Sequence, residues 1–272
     1  MMEPVSTDEP VSFGYRDVSD DGGRAARGWW DANAAEYLDE HRDFLGDAGF
    51  RWGPEGLTEA EAGLLGDVAG RDVLEIGAGA AHCSRWLASR GARAVATDLS
   101  AGMLAGAARL DAATGVVVPR VQTDARALPF ADRSFDVVFT SFGALPFVAD
   151  AVRVHREAAR VLRPGGRWVF SVTHPLRWAF PDDPTRHGLT ANRSYFDRRP
   201  YVEADAAGRV LYAEYHRTVG DHVRDVVAAG LRLIDLVEPE WPEWNDQVGG
   251  GWGPERGRYL PGTAVFVTEA PR

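Results

Sequence analysis

The chain has 272 residues, 45% of them hydrophobic, and a formal net charge of −10, enough to bury one large domain or one domain with a cap. That acidity, with arginines scattered rather than clustered, argues against a nucleic-acid backbone as partner. A single cysteine excludes an intramolecular disulfide and any cysteine-rich zinc site, and no run approaches the ~20 apolar residues of a membrane span.

Residues 1–23 are polar, with Pro4, Pro10 and the cluster Asp20-Asp21-Gly22-Gly23, and read as a flexible tail. Glu3, Asp8 and Glu9 give no basic start for a secretory leader, so a cytoplasmic protein is expected. Residues 24–70 read as a helical lid: Trp29, Trp30, Ala34, Tyr37, Leu38 and His41 recur at helical spacing, and a second helix is expected over 58–68. Domain organisation is therefore tail, lid and a main domain over 71–272.

The stretch 72–98 reads as strand, tight glycine turn, helix and a second strand ending in an acid. Val73, Leu74 and Ile76 suit a buried strand, Gly77 and Gly79 allow a sharp turn through Ala78, and 84–90 has helical spacing up to Gly91. Such a turn sets backbone N–H groups and a helix N-terminus beside a ligand, and Asp98 can take two ribose hydroxyls. A dinucleotide or another nucleoside fits that outline. Against a dinucleotide, His82 occupies the third small-residue position, and Glu75 adds negative charge where a pyrophosphate would lie. Glu75 suits a ligand with an ammonium and a sulfonium.

Farther on, a helix is expected over 103–110, a strand over 116–121, and an acid-bearing turn at Asp124-Ala125 that an ordinary Asx turn would also explain. A strand over 135–140 ends in Ser141-Phe142-Gly143, a helix covers 148–162, and Arg163-Pro164-Gly165-Gly166 turns into a strand over 167–172. Two aromatic-rich insertions, 174–211 and 238–262, are separated by a short strand over 212–218, a helix over 219–229 and a strand over 231–237. A strand over 263–268 closes the chain. Long loops of this kind in a compact domain are usually functional.

Glu75-Ile76-Gly77-Ala78-Gly79, then Asp98-Leu99-Ser100 and Met103-Leu104, and finally Val161-Leu162-Arg163-Pro164-Gly165-Gly166, match in order and spacing over about a hundred residues. On these motifs the chain resembles the class I S-adenosylmethionine-dependent methyltransferases, in particular the small-molecule branch called type 11. It departs from the usual pattern at Ala81, where a third glycine is common. The resemblance implies an α/β, Rossmann-like fold: a seven-stranded, mostly parallel sheet with helices on both faces and the last strand antiparallel. The core motif region is then 73–171, with the insertions roofing the carboxyl edge of the sheet. It further implies S-adenosylmethionine as cofactor, with Glu75, Gly77, Ala78, Gly79, Asp98, Leu99 and Met103 around it. Asp124 and Ala125 take the adenine, Tyr37 lies near the methionine end, and Ser141 stands at the strand tip beside the sulfonium.

Methyl transfer from a sulfonium needs collinear partners held about 3–3.5 Å apart and little else from the protein. If an acceptor proton must leave, His174 and His216 are the nearest candidates for a base, although structural histidines are the commoner outcome. His155 reads as solvated, His82 as locally bonded, and Cys83 as a small buried residue. Trp241, Trp244 and Trp252 suggest a partly apolar acceptor or an insertion's own core, with Glu243, Asn245 and Asp246 as acceptor contacts or surface groups. The function expected is methylation of a small molecule. The alternatives are a non-catalytic cofactor-binding partner and a nicotinamide-dependent oxidoreductase.

Overall fold

The computed structural model describes residues 10–18 and 23–272. Of the expected tail, residues 1–9 and 19–22 lie outside the described residues, but β1 (Ser12–Tyr15) is an ordered strand. Its alternation points Tyr15 inward against Trp178 and Tyr201, at ring-centroid distances of 6.2 and 5.7 Å, which explains why a polar segment is held down. The segment expected as a lid follows as α1 (Gly23–Glu40) and α2 (Arg42–Leu45). The helix expected over 58–68 is only one turn, α3 (Glu59–Ala62). Thr58 and Glu61 form a capping box at its start, and Gly63, at φ 61°, ends it in a left-handed turn.

The main domain alternates strand and helix: β2 (Asp72–Ile76), α4 (His82–Ala88), β3 (Arg93–Asp98), α5 (Ala101–Thr114), β4 (Arg120–Gln122), β5 (Phe135–Ser141), α6 (Ala151–Val161) and β6 (Leu162–Thr173). β4 is shorter than expected because Pro119 has no N–H to add to the ladder. β6 runs through the Arg163–Gly166 stretch, where its register against β5 shifts. The insertion over 174–211 is not a loop throughout: it holds two short 3₁₀ helices and β7 (Tyr201–Ala204), and runs into β8 (Val210–Glu214). Together β1, β7 and β8 form a three-stranded antiparallel sheet. The chain closes with α7 (Val219–Ala228), β9 (Arg232–Val237), α8 (Pro254–Gly257) and β10 (Thr263–Glu269).

The seven-stranded sheet has the order β4-β3-β2-β5-β6-β10-β9. Neighbours are parallel from β4 to β6, and β10, the last strand, runs antiparallel to both β6 and β9. Strands buried on both faces read as unbroken apolar runs, and alternate residues feed two cores. Leu74, Val138, Trp168, Phe170 and Phe266 pack against α6 and α7 on one side. Val73, Val137, Phe139, Val169 and Val265 pack against Phe50, Trp52 and Leu87 on the other. The strand tips of β4, β3, β2, β5 and β6 therefore line up along one edge, beneath α1 and the small sheet.

His155 is not solvated. Its ring is fully buried on α6, accepts a hydrogen bond from Trp168 Nε1 at 2.9 Å, and has its pKa pushed down by burial to about 3. The charged neighbours that suggested exposure occupy the other face of the helix.

Candidate active site

A cavity of about 500 Å³ follows the strand-tip edge, within the usual range of about 300–1,000 Å³ for ligand sites. Its floor is the turn after β2. Gly77 and Gly79 adopt φ of 66° and 54°, and Ala81, at φ 57°, takes the left-handed position that explains why glycine is common there. Protein atoms crowd both glycines. A Cβ on Gly77 would stand 2.6 Å from the Ala144 amide nitrogen, and one on Gly79 would stand 2.8 Å from Met103 Cε. The turns after β2 and β5 thus touch backbone to backbone, and the cavity forms over their junction.

Asp98, at the tip of β3, fixes this turn. Its Oδ2 accepts from Gly79 N–H and its Oδ1 from Ser100 N–H, both at 2.8 Å. Burial raises its carboxyl above the ordinary range, and those amides pull the other way. Each oxygen keeps lone-pair capacity toward the cavity. Ser100 in turn caps α5, accepting from Met103 N–H, while Leu99 lines the wall.

Glu75 is nearly fully buried. Its Oε2 accepts from the Ser84 amide at 2.9 Å and the Ser84 hydroxyl at 2.5 Å, so the carboxyl holds the first turn of α4. Burial pushes its pKa up to about 7. Cys83, beside it, has its thiol raised well above the ordinary value by burial and by Glu75, which leaves it without nucleophilic character at neutral pH.

Asp124, beyond β4, makes the Asx turn that the sequence also allowed: Oδ1 accepts from Arg126 N–H at 2.8 Å. Arg126 then pairs with it, Nη2 to Oδ2 at 2.7 Å, and Asp124, Ala125 and Arg126 all face the cavity. Ser141 also lines it, but its hydroxyl donates to the Arg51 carbonyl at 2.6 Å and so fastens the lid connection to β5.

A specific contact docks α1 on α5. Asp31 of α1 accepts from Ser100 Oγ at 2.7 Å and from Gly102 N–H at 2.9 Å, which places a carboxylate at the start of α5. Gly102 and Gly106 let the helices close, since a Cβ on Gly106 would stand 2.4 Å from Leu38 Cδ1. Tyr37 thereby reaches the cavity, stacked on His41 at 4.3 Å and edge-on to Trp30 at 5.2 Å.

All the sequence-expected cofactor residues therefore converge on one cavity, but the two histidine candidates do not. His174 Nε2 binds Glu238 Oε1 at 2.8 Å, its Nδ1 accepts from Leu176 N–H at 3.2 Å, and its ring caps the 3₁₀ helix Pro175–Ala179. His216 Nε2 binds the Tyr195 carbonyl at 2.7 Å, with the ring between Trp178 and Tyr195. Both are buried, both have their pKa lowered by burial, and neither lines the cavity. Of the insertion aromatics, Trp252 lines the cavity, while Trp244 is exposed and Trp241 donates to the Asn245 carbonyl at 2.7 Å. Asn245 itself is buried against the carbonyls of Pro54 and Glu55. Unanticipated members of the wall are Phe147 and Arg177, on the 3₁₀ helices that follow β5 and β6, and Glu214, at the end of β8.

The strand order, with its reversed last strand, and a cavity along the strand tips, where ligands bind in open α/β folds, set the class of fold. The family described as "Methyltransferase domain", type 11, matches residues 74–170. A demethylmenaquinone methyltransferase from Mycobacterium sp. (strain JLS) is 49% identical over 213 residues, covering 76% of this chain and 78% of that one. A solved S-adenosylmethionine-dependent methyltransferase from Mesorhizobium loti superposes with a TM-score of 0.62 at 27% identity, covering 80% of this chain and 100% of that one. The 1,6-didemethyltoxoflavin-N1-methyltransferase of Burkholderia thailandensis, solved with its acceptor and S-adenosylhomocysteine, shares the fold, with a TM-score of 0.58 at 18% identity over 96% of this chain and 95% of that one.

The chain belongs to the class I S-adenosylmethionine-dependent methyltransferases of the type 11 family. It is an enzyme that uses S-adenosylmethionine to methylate a small-molecule acceptor. That settles the choice among the three functions weighed from sequence. Among the described residues, no helix is long and apolar enough to cross a membrane.

Proposed function

We propose that the enzyme methylates a flat, largely apolar, ring-bearing acceptor of the demethylated-quinone kind, with the cofactor held from β4 to β2 and the acceptor beyond β5 and β6. In this reading Asp98 takes the ribose hydroxyls, Asp124 and Ala125 the adenine, and Glu75, the turn Gly77-Ala78-Gly79 and Tyr37 the methionine end. Leu99 and Met103 pack the nucleoside, and Ser141 positions the strand tip. The observation that carries the proposal is the continuity of a single cavity. Its polar, acid-lined end at Asp98 and Asp124 runs into an end walled by Phe142, Phe147 and Trp252. S-adenosylmethionine supplies a methyl already activated by its sulfonium, so aromatic walls that orient the acceptor and exclude water suffice for much of the rate.

The relatives' acceptor supports the quinone class. The acidic net charge supports a partner other than nucleic acid, and the single cysteine supports a cytoplasmic setting. The test is transfer of labelled methyl from S-adenosylmethionine to a short-chain demethylmenaquinone, in oxidised and reduced form, by wild type and Trp252→Ala. Turnover with a KM raised about tenfold in the variant, and an unchanged S-adenosylhomocysteine affinity, is the expected result. No transfer to either form by wild type that binds the cofactor would overturn the acceptor class.

A further inference from the structure

The acceptor end of the cavity contains an acid that the cofactor does not require. Glu214 ends β8 and faces the cavity beside Thr173 and Phe147, across β2 and β5 from Asp98. A half-buried carboxylate drawn away from water ordinarily collects several donors. Among the described residues, the hydrogen bond that this one receives comes from Tyr212 Oη, at 3.3 Å. Tyr212 is itself fixed, its ring between Trp29 at 5.3 Å and Phe147 at 5.9 Å. Arg177 lines the same end, its guanidinium held by Asp182 at 3.1 Å and lying over the Trp178 ring at 5.0 Å.

From this juxtaposition we infer that Glu214 is the catalytic base that takes the acceptor's hydroxyl proton, and that Arg177 stabilises the resulting oxyanion. The inference rests on the methyl-transfer reading of the cavity and narrows its acceptor to a phenol or enol. An alcohol is too weak an acid for a carboxylate base, and an ammonium acceptor would face the Arg177 charge. The balance is simple: the acceptor O–H proton passes to a Glu214 oxygen and later to solvent. The anion's oxygen forms the new bond to the methyl carbon; where the ring carbon conjugated with it does so instead, that carbon's own proton is then lost to solvent and the oxygen regains one, which restores the ring. The sulfur–methyl bond breaks with its electron pair retained on sulfur.

Burial raises the Glu214 carboxyl above its ordinary range, with Arg177 and Tyr212 opposing, which strengthens it as a base. The other charged or titratable groups packed around it are accounted for. Asp182 faces it with Arg177, and Tyr201 and Glu203 stand opposite on β7, bonded to each other at 3.0 Å. Arg27 on α1 is paired with Asp31 at 3.7 Å, and Arg217 behind it is paired with Asp225 at 3.3 Å.

The test compares wild type, Glu214→Gln and Tyr212→Phe in two ways. The first is the affinity of 1-naphthol for the protein saturated with S-adenosylhomocysteine, measured by calorimetry across pH. The second is the pH profile of methyl transfer to the reduced naphthoquinone. In wild type, naphthol affinity and kcat both fall together as pH drops through the Glu214 titration. Glu214→Gln binds S-adenosylhomocysteine as wild type does, which reports an intact fold, loses the pH dependence of naphthol binding, and drops kcat by about 10²–10⁴-fold. Tyr212→Phe removes a donor to the carboxylate and moves the acidic limb to higher pH. Naphthol affinity with the same pH dependence in wild type and Glu214→Gln overturns the assignment, as does a kcat within threefold of wild type. Failure of wild type to bind S-adenosylhomocysteine overturns the cofactor reading instead.

Discussion

Asp98→Ala tests the nucleoside end of the site. In the wild type, both carboxylate oxygens are already ordered by the Gly79 and Ser100 amides, each at 2.8 Å, so presenting them to a ribose costs little further entropy. Hydrogen bonds to a charged group contribute about 1.5–3 kcal/mol each in such settings, and truncation leaves the turn's two amides to water. Allowing for non-additivity between two hydroxyls on one carboxylate, the variant should lose about 3 kcal/mol of cofactor binding, on the order of a 100-fold weaker Kd. Calorimetry with S-adenosylhomocysteine reads this directly, with a thermal melt to show that the variant is folded. Asp98→Asn should fall between the two proteins, because its amide keeps one acceptor and loses the charge. A folded Asp98→Ala protein with a Kd within threefold of wild type would refute the assignment of Asp98 to the ribose.

Other consequences of the site can be measured in the same way. The Glu75 carboxyl, pushed up to about 7 from an ordinary value of 4.5, binds its proton more tightly folded than unfolded. Its contribution of about 3 kcal/mol is therefore complete below pH 4.5 and lost as pH rises through 7. Urea unfolding of Glu75→Gln between pH 4.5 and 8 should lack that slope, and an undiminished slope in the variant would show that another group is responsible. Asp31→Ala should detach the lid from α5, lowering Tm by several degrees and speeding cofactor release, because Ser100 and Gly102 lose their acceptor. Unchanged release kinetics would mean that α1 does not cover the cofactor. His174→Asn and His216→Asn should cost stability and leave kcat within a few-fold, since neither ring lines the cavity. A hundredfold loss of kcat in a folded variant of either would restore it as a base.

The parts of this molecule legible in the sequence are those governed by local rules. The β2 turn could be read because two glycines and an acid about twenty residues later satisfy one backbone geometry within one strand–helix–strand unit, and Ala81, a departure from the pattern in sequence, takes the left-handed position all the same. The two-sided burial of the sheet follows likewise from runs such as Phe135–Ser141. Features that depend on distant partners were not legible. Ser12–Tyr15 became a strand only because β7, nearly two hundred residues away, offers an edge. His155 looked solvated among arginines until Trp168 and Phe170 were packed over it. The histidines at 174 and 216 drew attention by residue type, while Glu214, the acid at the aromatic-walled end of the cavity, sat in an aromatic strand. Its signal was period-two alternation, which puts Tyr212 and Glu214 on one face.

The cavity fits a sulfonium nucleoside and not a dinucleotide. Calorimetric titration of the purified protein with S-adenosylmethionine, S-adenosylhomocysteine and NADH tests it most directly. Micromolar binding of both sulfur nucleosides and none of NADH is expected; binding of NADH alone would mean that the turn after β2 holds a dinucleotide.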